Sequence, residues 1–187
     1  MPIAWLCLFL NRAEHRRRSH WVANCLLILT AGLSLVAFTF DPFRNVLPAL
    51  RGLASPFLHA DYLHLCLNIF GGFLVLNHLE DAIGKKRLLI VILIALITHI
   101  SIVWGLSKLI RAPIEVLGLS GTIFTALGFL LFLNFSKYKT PQKISIFLVI
   151  LLMVLVEVSR QTIVVHSLGI ILGGTLSLFL FRLTDRH

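Results

Sequence analysis

Long uncharged runs alternate along this chain with short clusters of basic residues. Residues 21–40, 88–107 and 116–136 carry no charge, and residues 56–79 carry one, Asp61. Residues 144–156 form a shorter apolar run that extends towards Arg160, and residues 162–181 hold no ionisable group except His166. A helix needs about 20 apolar residues to cross the hydrocarbon core of a bilayer. The pattern therefore predicts an all-α polytopic membrane protein with six transmembrane helices. The connections are short and carry helix-breaking prolines: Pro42 and Pro48 in the first, Pro113 and Pro141 in two later ones. With no long linker, low-complexity tract or internal repeat evident, the expected organisation is one domain. Residues 21–183 form the six-helix membrane bundle, residues 1–20 a cytoplasmic or interfacial segment, and residues 184–187 a cytoplasmic tail.

Composition supports this reading. The chain is 58% hydrophobic and 13% charged, about half the roughly 25% charge of a soluble domain. The net charge of +9 would suit a nucleic-acid partner, but its distribution points elsewhere. With six spans, twelve of the 17 Lys and Arg residues fall on one side, among them Arg16, Arg17, Arg18, Lys85, Lys86 and Arg87. The positive-inside rule places that side, and with it both termini, in the cytoplasm. The expected partner is the lipid bilayer, not nucleic acid. Residues 1–10 are apolar but their basic cluster follows them, the reverse of a signal peptide. Cys7, Cys25 and Cys66 show neither a disulfide framework nor metal-ligand spacing.

Polar side chains are costly inside a bilayer and point to function or to bundle-interior hydrogen bonds. Three spans carry them. In the second, His64 and Asn68 lie one helical turn apart on one face, while His59 lies off that face. The fourth opens with Gly118-Leu119-Ser120-Gly121, in which small residues permit a tight turn. A helix start there would supply free backbone N–H groups and a positive dipole end, as an oxyanion needs. The sixth holds His166, Gly169 and Gly173 on one face, a glycine seam that lets another helix approach closely. Each feature has a plain structural reading: a hydrogen-bonded packing residue, an ordinary small-residue stretch, a helix-dimer face. Taken together they bring a serine and a histidine within reach of each other. A serine hydroxyl becomes a useful nucleophile beside a general base. Spans four and six contain no carboxylate, so a Ser-His dyad is expected rather than a triad. Phe124, one turn after Ser120, is placed to support the imidazole. His99 in the third span fits no motif and reads as a packing histidine.

From Arg51 to the end of the sixth span, the sequence resembles the rhomboid family of intramembrane serine proteases. His59, His64 and Asn68 have the family's second-span spacing, with Arg51 eight residues before the first histidine. Glu80 and Gly84 match the residues that follow that span. Gly118-Leu119-Ser120-Gly121 matches the nucleophile motif, and His166, Gly169 and Gly173 the base motif. The resemblance implies that Ser120 is the nucleophile and His166 the base. His64, Asn68 and the Ser120 N–H would form the oxyanion hole, with Gly118, Gly121 and Phe124 in support. It also implies a membrane-protein substrate cut in or near its transmembrane helix, no cofactor, no metal, and a place in the bacterial inner membrane. Leu50 stands where many members have Trp, and Val165 where many have Ala. The short first loop is also similar to that of the rhombosortase branch, which processes proteins with a glycine-rich C-terminal anchor. Two other functions can be weighed. A catalytically weak rhomboid-like protein that binds transmembrane helices would not need both dyad residues, which are present here. A proton-relay transporter would call for a charge in mid-span, and none is found.

Overall fold

In lipid, a chain must satisfy its backbone hydrogen bonds internally, which for apolar runs of this length means helix. A computed structural model of the chain describes residues 20–39, 54–111, 117–134 and 160–184, and among them every long element is helical. The helices are α1 (Trp21–Thr39), α2 (Tyr62–Ile83), α3 (Lys85–Ile110), α4 (Ser120–Asn134) and α5 (Arg160–Thr184), with a short 3₁₀ turn at Ser55–Phe57 before α2. They correspond to the first four and the sixth of the expected spans. The fifth span, Arg51, the first nineteen residues and the last three lie outside the described residues. Helices α1, α2 and α3 are each long and apolar enough to cross a membrane, while α4 and α5 hold shorter apolar stretches.

The helix ends follow local chemistry. Asp61 caps α2: its carboxylate accepts from the His64 N–H at 2.8 Å, which satisfies one of the donors a helix start leaves orphaned. The expected second span began at residue 56, so the cap moves His59 off the helix and onto the extended segment before it. One residue, Gly84, ends α2 and starts α3. Its φ of 78° is a conformation that glycine adopts at little cost, and its N–H donates to the Glu80 carbonyl at 2.9 Å.

Helix α4 occupies the centre. Every residue from Gly118 to Leu130 is buried, as expected for a helix apolar on all sides. It packs against α2 and α3 and most extensively along α5, while α1 leans on α2. The outward faces of α1 and α3 carry exposed Ile28, Leu29, Leu35, Leu93, Ile97 and Trp104, side chains suited to hydrocarbon.

The start of α1 is held to the α2–α3 corner. Buried Glu80 accepts from the Ala23 N–H at 3.0 Å. His20 pairs with Asp81 at 2.8 Å, and the Lys85 ammonium lies 5.7 Å from the Trp21 ring centroid. The exposed pair contributes little. The buried carboxylate contributes more, because it satisfies a helix-start donor and sits at the positive end of the α1 dipole. Glu80→Ala is expected to cost about 1–2 kcal/mol and to lower the melting temperature in detergent, with Glu80→Gln recovering part of the loss. An unchanged melting temperature for the alanine variant would show that this contact holds nothing.

Candidate active site

The loop before α4 turns sharply at Gly118, whose φ of 107° suits glycine. Its N–H donates to the Ser55 carbonyl at 2.9 Å, which fixes the loop against the 3₁₀ turn. Helix α4 then begins at Ser120 itself. The serine therefore sits where backbone N–H groups lack carbonyl partners within the helix.

Opposite it, α5 presents His166. Nε2 of His166 lies 2.8 Å from Oγ of Ser120, and both residues are buried, 6% and 0% exposed. With Nε2 unprotonated, the serine hydroxyl donates to it, the arrangement needed to activate a nucleophile. The Phe124 ring stacks on the imidazole with centroids 4.1 Å apart and planes tilted by 20°. That contact constrains the plane of the imidazole.

Glycines let the two helices come this close. A Cβ at Gly169 would meet the Gly121 carbonyl at 3.0 Å, and one at Gly173 would collide with the Thr125 carbonyl and meet the Phe129 nitrogen at 2.7 Å. In return, a Cβ at Gly128 would strike the Ile170 backbone. The helices thus touch backbone to backbone, and the glycine seams of both are used in this contact.

Helix α2 supplies the facing wall. His64 lies over Gly118: a Cβ there would meet its Nε2 and Cε1 at 3.0 Å, and Nε2 of His59 at 3.3 Å. The rings of His59 and His64 meet edge to face at 4.9 Å. Asn68 is 1% exposed, and its Nδ2 donates to the His64 carbonyl at 3.0 Å. An amide nitrogen carries two hydrogens, so a second N–H remains. The structure thus gathers Ser120, His166, Phe124, Gly118, Gly121, His64 and His59, with Asn68 one turn along α2. Glu80 and Gly84 belong to the far end of α2, about 24 Å and about 30 Å from His64 at 1.5 Å per residue.

Two residues near this site had no motif to announce them. His99 on α3 is buried, and its ring fills the space beside Gly121 that a Cβ would need. It lines a small crevice with Thr98, Thr125, Val165 and Gly169, so His99 stands directly behind the helical turn that carries Ser120. Ser34 on α1 is also fully buried, and it bonds both Phe57 and His59. A hydroxyl inside an uncharged run was its signal in the sequence, but its partners lie in another element. Among the described residues, no three metal-ligating side chains cluster.

The chain matches the family model described as Rhomboid domain over residues 48–183. No curated protein sequence matches it.

Proposed function

Because this chain belongs to the rhomboid family, we propose that it is an intramembrane serine protease that cuts membrane proteins in or near a transmembrane helix with Ser120 and His166 as its dyad. The chain is an integral membrane protein, and members of its family are generally proteases of this kind. The observation that carries the reading to these two residues is the buried 2.8 Å contact between Nε2 of His166 and Oγ of Ser120.

The chemistry follows from that contact. Oγ of Ser120 attacks the scissile carbonyl while Nε2 of His166 takes its proton. The carbonyl oxygen becomes an oxyanion, received by the Ser120 N–H at the start of α4, by His64, and by the second N–H of Asn68. As the C–N bond breaks, the imidazolium returns the proton to the leaving amine. Water then attacks the acyl-enzyme with His166 again as base, releasing the acid product and restoring the serine. With no carboxylate on α4 or α5, the stacked Phe124 ring holds the orientation that an acid would set in a triad. The bias of basic residues along the sequence supports cytoplasmic termini by the positive-inside rule, with the site opening on the other side.

The test is cleavage of a reporter with one transmembrane helix by the purified protein in liposomes. A fluorophosphonate probe in parallel identifies the reactive serine by mass spectrometry. Cleavage with modification at Ser120 is expected. A protein that binds the reporter but neither cuts it nor takes the probe would instead be a helix-binding relative without activity. Asn68→Ala is expected to lower turnover by about 10²-fold, the usual cost of losing one oxyanion donor, with little change in melting temperature. If the variant melts much earlier and keeps the turnover of its folded fraction, Asn68 is a packing residue.

A further inference from the structure

The segment before α2 presses against the back of the oxyanion wall, and one hydroxyl on α1 holds it. Oγ of Ser34 donates to the Phe57 carbonyl at 2.8 Å and lies 2.8 Å from Nδ1 of His59. A hydroxyl has one proton. Given to the carbonyl, it leaves the oxygen only lone pairs for His59, so Nδ1 must carry the hydrogen. In a neutral imidazole Nε2 is then the nitrogen that carries no hydrogen. That nitrogen faces Gly118, the turn that leads to Ser120, and the ring meets His64 edge to face at 4.9 Å.

We propose that Ser34 is a positioning residue of the active site: it selects the Nδ1–H tautomer of His59 and fixes that ring, which in turn sets the place of His64 against the Gly118 turn. The inference rests on the proposed protease activity for its kinetic consequence, but not for the tautomer. Both bonds of Ser34 end on the segment that carries His59, and this segment also receives the Gly118 N–H at Ser55. One side chain of the first span therefore anchors the strip of chain shared by the oxyanion wall and the nucleophile loop. The serine itself touches no reacting atom, so its effect is on the transition state through His64 rather than on substrate capture.

The test compares wild type, Ser34→Ala, Ser34→Cys and Ser34→Thr in the full-length protein in nanodiscs. Two readouts are taken: reporter turnover, and the ring-nitrogen chemical shifts of ¹⁵N-labelled histidine with His59 assigned by substitution. For Ser34→Ala, kcat is expected to fall roughly tenfold, less than the ~10²–10³ lost with an oxyanion donor itself, while KM stays within about twofold. His59 should change from a single Nδ1–H form to a mixture. Ser34→Cys keeps the volume with a weak hydrogen-bonding group and should behave like alanine, while Ser34→Thr restores the hydroxyl and should return most of kcat and the single tautomer. A His59 spectrum unchanged in both Ser34→Ala and Ser34→Cys overturns the proposal, as does full kcat in both. If wild type itself shows no turnover, the protease reading fails, and the nitrogen shifts alone then decide the tautomer claim.

Discussion

Replacing Ser120 with alanine is expected to reduce reporter cleavage to background and to abolish fluorophosphonate labelling, with the melting temperature preserved. The hydroxyl is the only atom lost, and it is the atom placed 2.8 Å from Nε2 of His166. His166→Ala removes the proposed base and should leave a hydroxyl that attacks poorly at its own pKa. Its turnover should fall by about 10⁴-fold or more, in line with losses when single members of serine protease sites are removed. Residues that act as one unit are strongly non-additive. The double variant should therefore be no slower than Ser120→Ala alone. Cleavage that persists in Ser120→Ala would falsify the assignment of the nucleophile.

A single methyl group at Gly173 is expected to damage both stability and activity. The added Cβ would collide with the Thr125 carbonyl and press on the Phe129 nitrogen. These are backbone atoms of α4 and cannot turn aside, so the helices must separate. Overpacking of a close contact costs about 1–3 kcal/mol. Separation also lengthens the contact between Ser120 and His166, and a misplacement of about 1 Å can cost 10²-fold in rate. Gly173→Ala should therefore lower the melting temperature and reduce kcat by about 10²-fold. Two controls calibrate this. Gly174→Ala would meet first the Phe132 ring, a side chain able to move, and should be milder. Gly105→Ala meets nothing within 4 Å among the described residues and should be harmless. If Gly173→Ala kept both wild-type melting and wild-type turnover, α4 and α5 could not cross at that glycine.

The chain's local patterns made much of this legible. Uncharged runs of membrane length marked the helices, since the bilayer imposes its thickness on any spanning segment. Helical periodicity put His64 near Asn68 and His166 on the Gly169–Gly173 seam, because neighbours one turn apart are set by the backbone alone. The placement of Phe124 beside the imidazole followed from the same periodicity once the dyad was supposed. Even the position of His59 before the helix had a local signal: Asp61, a good N-cap residue, stands just ahead of an apolar run. The span was counted by hydropathy alone, which does not see caps.

Contacts between elements were a different matter. Ser120 and His166 are 46 residues apart, and Ala23 and Glu80 are 57 apart. No periodicity links such pairs. Glycine seams on α4 and α5 made a close crossing reasonable, but only packing decided which turns face each other and so which nitrogen meets the hydroxyl. His99 and Ser34 are sharper cases. Each is one of several polar residues in an uncharged run, where a partner on any other helix would satisfy it equally well. The sequence by itself determined the helical membrane architecture, the family and the short-range motifs, since these depend on solvent, charge bias and backbone geometry. Only the tertiary structure decided that His99 backs Gly121 and that Ser34 holds His59. A buried hydrogen bond or ring contact exists only where two separately encoded surfaces are brought within about 3–4 Å, and neither surface alone specifies the other.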